Sequence, residues 1–294
     1  MADGNLGPEA FNELLASQRP RLHRYCARMV GSALDGEDVV QEALAKALEA
    51  YPGAQLIAQP ERWLFRIAHN AALDALRRRK RQASMLSDRA PERVADAAAT
   101  GDARISAEAS LAALMHLPVA QRAAMVLVDV LGHSAAEAVD ILGVSLPALK
   151  AALHRGRERL RSHANDHPPS VAFDPAEIER LRAYADRFNA RDFDALRMLL
   201  ADEVRLDLVN RTKLAGRKDV AVYFTRYEAS QDWRFAVGLA EGRPALLASD
   251  PADRSGAITY VVLLDWSDGR IAAIRDFKYA DYVLASLRVD ASPI

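Results

Sequence analysis

Apolar positions recur at helical spacing through the first 160 residues of this chain, and at strand spacing through much of the remainder. Phe11, Leu14 and Leu15 share one face of a predicted helix, and Leu22, Tyr25, Cys26, Met29 and Val30 continue it. The stretch from Gly31 to Gly36 interrupts the period. "DGEDVVQEALAKALEA" restarts it, with Asp35 as the expected N-cap and acids in the first turn. "YPGAQLIAQPE" reads as a loop framed by Pro52 and Pro60, ahead of a helix that turns Trp63, Leu64, Ile67, Ala71 and Leu76 inward. Residues 83–108 hold no lasting apolar period, and helical spacing returns from Leu111 to Leu160. "SHANDHPPSVAFDP", with three prolines, breaks the pattern again.

After residue 175 the pattern changes. "IERLRAYADRFNARDFDALRMLL" predicts two short helices around the turn "NARD". "VRLDLV", "WRFAVGL", "PALLAS", "AITYVVLLDW" and "RIAAIRDFKY" then read as strands, with "EGRP" and "SDGR" as hairpin turns and a last helix over 280–287. The predicted organisation is multidomain: an all-α domain over 9–82, a linker over 83–110, a second all-α domain over 111–163, a linker over 164–174, and an α+β domain over 175–294 whose helices lead into a curved antiparallel sheet.

Charge alters this picture by its placement. The chain has 39 basic and 40 acidic residues, so no bulk attraction to polyanions is expected. Residues 61–82 nevertheless carry seven bases against two acids, ending in the run Arg77, Arg78, Arg79, Lys80 and Arg81. Residues 145–163 carry five bases against one acid. The single cysteine, Cys26, excludes an intramolecular disulfide, suits a reducing cytoplasm, and sits at core spacing. No stretch approaches the ~18 apolar residues of a membrane span, and the N-terminus lacks a secretion pattern, so a cytoplasmic protein without membrane contact is expected. His23, His69, His116, His133 and His154 show no metal-ligand spacing; no metal site or cofactor is expected.

The most specific local pattern is "SAAEAVDILGVSLPALKAALHRGRERLR", residues 134–161. Ser134 with Glu137 forms a capping-box pattern, Gly143 supplies a positive-φ turn, Ser145 caps a second helix, and Pro147 sits in its first turn. Ala138, Ile141, Leu142, Val144, Leu149 and Leu153 provide the seam between two helices. This is a predicted helix-turn-helix, whose second helix enters the DNA major groove. Its outward face offers Ser145, Lys150, Ala151, His154, Arg155 and Arg157. Lys150 and Arg155 have the reach for guanine edges or phosphates, and Ala151 allows close approach to the bases. A plain helical hairpin with a charged exterior is the simpler alternative. Val139 stands where such motifs usually carry alanine, which bears on the crossing of the two helices.

Preceded by "LMHLPVAQRAAMVLVDVLGHS", this segment resembles the fourth region of bacterial sigma factors. "SALDGEDVVQEALAKAL" followed by "PERWLFRIAHNAALDALRRRKR" resembles the second region of the same family. Two such regions joined by a short linker are similar to the extracytoplasmic-function type of the sigma-70 family, over roughly residues 9–163. The resemblance implies that Asp35, Glu37, Asp38, Gln41 and Glu42 contact the β′ clamp helices of core RNA polymerase, although acids here also complement the helix dipole. It implies a further contact of the fourth region with the β flap. It implies that the helix bearing Arg66, Asn70, Asp74, Arg77, Arg78, Arg79, Lys80 and Arg81 engages the −10 promoter element, with a flipped base held by the 51–60 loop. Buried helix–helix hydrogen bonds account equally for Asn70 and Asp74; Trp63 and Tyr25 read as core. The helix beginning at Ser145 would read the −35 element. A helix-turn-helix regulator without sigma activity is the alternative.

Residues 175–287 resemble the SnoaL-like branch of the nuclear-transport-factor-two-like superfamily, a cone of curved sheet backed by helices. The motifs that carry it are "RFNARDFDALRMLLADEVRLDL", "AGRKDVAVYF", the hairpin around "EGRPALL", and "YVVLLDWSDGRIAAIRDFKY". No His or Cys follows His167, which excludes thiol and imidazole chemistry from this domain. Asp207, Asp265 and Asp276 are the candidate carboxylates, since a desolvated one would gain a raised pKa. Ile274, Asp276 and Lys278 share one strand face, and an ion-paired structural role for Asp276 is the favoured reading. No catalytic residue is assigned. The domain is expected to be a fused regulatory element, with a small-molecule sensor or a carboxylate-based enzyme as alternatives. The linker "SHANDHPPSVAFDP" lacks the tryptophan- and proline-containing motifs of relatives with this fusion.

Overall fold

The computed structural model describes residues 7–51, 57–87, 111–162, 174–230 and 233–291. Contacts divide the chain into two units, Met1–Pro168 and Pro169–Ile294. Residues 52–56 of the expected base-capturing loop and most of both linkers fall outside the described residues.

The first unit is helical: α1 Pro8–Val30, α2 Ala33–Ala50, α3 Pro60–Ser87, α4 Leu111–Met115, α5 Val119–Met125, α6 Ala135–Leu142 and α7 Leu146–Ser162. A π-helical turn, Val126–Val130, extends α5. The break after α1 is narrower than the sequence suggested. Gly31 takes φ 79° and ends α1, and Ser32 rather than Asp35 caps α2, its hydroxyl accepting from the Asp35 amide at 3.0 Å. Gly36 does not break the helix. It lies inside α2 where a Cβ would come within 2.6 Å of Ala27 Cα, so its missing side chain lets α1 and α2 touch backbone to backbone. The third helix likewise runs to Ser87, past the basic run.

One core joins both helical blocks, from Leu22, Tyr25 and Phe65 to Leu114, Met125 and Leu153. Cys26 is fully buried in it, and burial pushes its thiol pKa far up, so it is a packing residue. Arg122 of α5 is buried as well. Its guanidinium donates to the carbonyls of Leu114 and Leu117 at 3.0 Å and to that of Met29 at the end of α1. One side chain thereby satisfies helix-end carbonyls of two separate blocks.

In the second unit, α8 Pro175–Asn189, α9 Phe193–Met198 and α10 Arg217–Glu228 accompany seven strands: β1 Leu200–Leu208, β2 Thr212–Ala215, β3 Arg234–Ala240, β4 Arg243–Ser249, β5 Ile258–Ser267, β6 Arg270–Asp276 and β7 Val289–Asp290. The sheet order is β2-β1-β6-β5-β4-β3-β7. It is mixed rather than wholly antiparallel, because β1 and β6 pair in parallel, with Leu208 opposite Asp276. The two predicted hairpins form on Glu241-Gly242 and Asp268-Gly269, all with positive φ, the geometry that matches strand twist. Register shifts in β1, β4 and β5 bend the sheet. Its inner face packs Leu246, Val262 and Ile274 against Tyr184, Phe188 and Tyr223 of the helices. The predicted last helix is only the short α11 Asp281–Leu284.

Candidate nucleic-acid interface

The helix-turn-helix is built as its residues dictate. Ser134 Oγ accepts from the Glu137 amide at 3.3 Å, and the Glu137 carboxylate accepts from the Ser134 amide at 2.9 Å and its hydroxyl at 2.7 Å. These bonds hold the Glu137 carboxyl below its ordinary pKa. Gly143 adopts φ 65° in the turn, and Ser145 Oγ lies 3.4 Å from the Ala148 amide at the start of α7. Ala138 and Ile141 of α6 are buried, and Val139 is only half-buried, so the bulkier residue lies beside the seam rather than in its centre.

Along α7 the faces separate cleanly. Leu149, Ala152, Leu153, Gly156 and Leu160 are buried, while Ser145, Lys150, His154 and Arg155 are exposed and Ala151 is half-buried between them. Gly156 admits Met125 against the helix backbone, where a Cβ would sit 2.6 Å from its sulfur. Arg157 differs from its neighbours. It forms a two-pronged ion pair with Asp129 at 2.6 and 3.0 Å, which raises its pKa and anchors α7 to the preceding turn. His154 lies 3.6 Å from Glu158 one turn on.

The α3 cations are held differently. Arg78 reaches the Glu42 carboxylate at 2.6 Å, and the hydrogen bond lowers the Glu42 pKa and raises that of Arg78. Arg79 pairs with Asp35 and also donates to the Val30 carbonyl at 2.8 Å. Arg77 pairs with Asp74 at 3.1 Å, and Lys46 of α2 lies 3.7 Å from the same carboxylate. Lys80 and Arg81 are exposed and form no ion pair among the described residues. Asn70 is exposed, without the buried helix–helix bond that was the alternative for it; Asp74 does bridge helices, through Lys46.

The acids of α2 are therefore partly committed. Glu37 is fully buried in an ion pair with Arg19, so it supports α1 from inside and offers nothing to a surface partner. Asp35, Gln41 and Glu42 are half-buried, and Asp38 is exposed.

Within this unit the helix-turn-helix also rests on α3. Arg62 pairs with Asp140 at 2.9 Å and with Glu137 at 3.6 Å, and Arg66 donates to the Asp140 carbonyl at 2.5 Å. The His133 ring meets Phe65 edge-on at 4.7 Å, and burial lowers the His133 pKa. Tyr25 hydrogen-bonds the buried His69 at 2.7 Å, whose pKa burial lowers to about 4. Trp63 is half-buried beside Phe11, so it and Tyr25 are packing residues.

In the second unit only Asp276 of the three candidate carboxylates is buried; Asp207 is half-buried near Lys213 at 3.5 Å, and Asp265 is exposed. Asp276 is held by hydroxyls and an amide. Its carboxylate accepts from Tyr223 at 2.8 Å, Tyr227 at 2.7 Å and the Lys278 amide at 2.8 Å. Burial raises its pKa against these donors. Sequence pattern did not single out these tyrosines, although their four-residue spacing in "VAVYFTRYEAS" places them on one helix face. Arg62, Arg122 and Asp140 also entered the surroundings of the site only through tertiary contacts.

Three families match in order along the chain: Sigma-70 region 2 over residues 14–82, Sigma-70 region 4 over 108–160, and SnoaL-like domain over 181–274. The chain is 32% identical over 213 residues to the ECF RNA polymerase sigma factor SigG of Mycobacterium tuberculosis, covering 63% of this chain and 57% of that protein. It therefore spans little more than half the length of that relative. It is 37% identical over 152 residues to SigM of the same organism, covering 51% of this chain and 75% of that protein. The solved structure of the M. tuberculosis extracytoplasmic function sigma factor SigJ aligns over 94% of this chain and 99% of that one, with 22% identity and a TM-score of 0.36. With both sigma regions in order and three quarters of SigM covered, the chain belongs to the extracytoplasmic-function sigma factors of the sigma-70 family, and it carries a SnoaL-like domain behind them.

Proposed function

We propose that the chain directs promoter-specific initiation by core RNA polymerase in the cytoplasm. In this reading the exposed edge of α2, with Asp38, Gln41 and Glu42, meets the β′ clamp helices, and the fourth region meets the β flap. The helix α3 engages the −10 element, and α7 reads the −35 element through Lys150 and Arg155. The observation that carries it is the two-faced α7: one face locked into the core, the other presenting Lys150, His154 and Arg155 to solvent behind a complete capping box. Run-off transcription with core polymerase on a cognate promoter tests it. Initiation that depends on the added chain is expected; a chain that binds the promoter without recruiting polymerase would be an ordinary repressor instead.

Size adds a condition. A compact unit of this length is about 40 Å across. Elements some 25 base pairs apart lie about 85 Å apart along B-form DNA, at roughly 34 Å per turn. The packed arrangement of α6 on α3 cannot touch both at once, so polymerase must separate them and break the pairs of Arg62 and Arg66.

The SnoaL-like domain is read as a fused regulatory element rather than an enzyme. Tethering gives it a millimolar-scale effective concentration at its own sigma regions. Full-length protein and a chain ending at residue 168 should then differ in polymerase affinity or promoter output, and equality in both would end this part of the reading.

A further inference from the structure

The α+β domain contains a cleft of about 150 Å³ between α10 and the ends of β1 and β6. Its helical wall is one face of α10 and the turn after it: Tyr223, Arg226, Tyr227 and Ser230 follow the spacing i, i+3, i+4, i+7. Its other wall ends in Leu208, Asp276, Lys278 and Tyr279, brought together because β1 and β6 pair in parallel with Leu208 opposite Asp276.

The chemistry of these walls is unequal. Asp276 is fully buried, and both its oxygens are occupied by the Tyr223 and Tyr227 hydroxyls and the Lys278 amide. The Tyr227 hydroxyl lies 3.1 Å from that of Tyr260. Beside this network the buried hydroxyl of Tyr184 has no hydrogen-bond partner among the described residues. That hydroxyl is not among the groups lining the cleft. Of the lining groups that reach solvent, Ser230 and Tyr279 are uncharged, and the charged ones, Arg226 and Lys278, are both cations. Arg226 is exposed and makes no ion pair among the described residues, and Lys278 is half-buried with its ammonium 4.9 Å from the Tyr227 ring centre and 5.8 Å from that of Tyr260. Arg211 lies over the outer ring, Tyr279, at 4.7 Å.

A ligand cation would meet two positive charges at the rim and find the aromatic faces already taken by Lys278. An anion would be drawn to Arg226 and Lys278, with its body against Leu208 and the Tyr279 ring. The volume corresponds to roughly five water molecules at about 30 Å³ each, below the ~300 Å³ at which drug-sized pockets begin. It admits one ring or a short chain, not a polycyclic body.

We propose that this cleft binds a small organic acid, a single-ring carboxylate whose head group bridges Arg226 and Lys278. The assignment is independent of the sigma reading, because binding is measured without polymerase or DNA. Benzoate is the probe, titrated against the full-length chain by calorimetry and thermal shift up to about 100 mM, with benzamide, benzylamine and acetate alongside. Saturable benzoate binding is expected, with each of the other three weaker by about tenfold or more, as loss of a charge-assisted hydrogen bond or of the apolar body predicts. Arg226→Ala, at an exposed helix position, should weaken benzoate about tenfold and leave benzamide unchanged; Lys278→Met should do the same. No benzoate binding overturns the proposal, as does benzylamine binding as well as benzoate. Acetate matching benzoate would mark a surface ion effect only, and undiminished binding to the Arg226→Ala chain would place the acid elsewhere.

Discussion

The basic end of α3 and the basic face of α7 look alike in the sequence, yet the fold treats them in opposite ways. On α3, Arg77, Arg78 and Arg79 are each paired with a carboxylate, two of them on the helix assigned to polymerase. On α7, Lys150 and Arg155 stand exposed, whereas Arg157 is anchored to Asp129. A cation already paired must give up its partner to take a phosphate, so its net contribution to DNA binding falls. A count of charges therefore overstates the cations that α3 leaves unpaired. The run "RRRKR" is first a brace between α2 and α3, and among the described residues Lys80 and Arg81 are its members that form no ion pair.

The comparison can be broken most severely at α7. Lys150→Ala and Arg155→Ala should each weaken promoter binding by about 1–3 kcal/mol, read by fluorescence anisotropy on duplexes with the −35 element intact or scrambled. A loss confined to the intact element marks base reading; an equal loss on both marks phosphate contact. Next in size is Gly156→Ala, which drives a methyl against Met125 and should lower stability by about 1–2 kcal/mol in urea unfolding while leaving α3 contacts intact.

Arg78→Ala should behave as a structural change, costing about 0.5 kcal/mol of stability and less DNA affinity than Lys150→Ala. The sign with pH comes from Glu42, whose folded pKa is lowered by Arg78. The pair stabilises above the unfolded glutamate value near 4.3 and is lost as pH falls through the lower folded value. Wild type and Arg78→Ala should therefore differ at pH 7 and converge once the pH has fallen below the lowered Glu42 value. Convergence already at pH 7 would show that the brace contributes nothing. The smallest effect is expected at Lys80→Ala or Arg81→Ala, each reducing the slope of log binding constant against log salt by about 0.7–0.9 with no change in sequence preference. A separate charge swap, Arg62→Glu with Asp140→Arg, sharpens the α3–α6 contact. Either single change should favour the opened first unit, and the double change should restore the packed form, followed by proximity labels on α3 and α6.

Much of the local architecture was legible because it is written in short-range chemistry. The capping box at Ser134, the turn at Gly143 and the hairpins at Gly242 and Gly269 need only neighbouring residues, and each formed as its pattern implied. Misreadings came where the deciding partner lies outside the short motif itself. Asp35 looked like a cap because it leads an acidic turn, but Ser32 three residues earlier takes that bond. Gly36 looked like a breaker, and the close approach of Ala27 gives it another purpose. Glu37 had the spacing of a surface acid until Arg19 of α1 enclosed it. Asp276 looked like an ion-paired residue; its hydrogen-bond donors are two tyrosines of α10 and the Lys278 amide, with the Lys278 charge a lesser contribution.

By itself the sequence determined most of the helices and strands, which face of α7 is apolar, and that two sigma regions precede an α+β domain. Those are consequences of periodicity, capping and turn chemistry, which act over a few residues. Only the tertiary structure decided which charges remain available, because availability depends on what the fold places within about 4 Å of each one. It gave Arg78 and Arg79 to the carboxylates of α2, left Lys150 and Arg155 to solvent, and gathered a buried aspartate, its tyrosines and two rim cations at one end of the sheet.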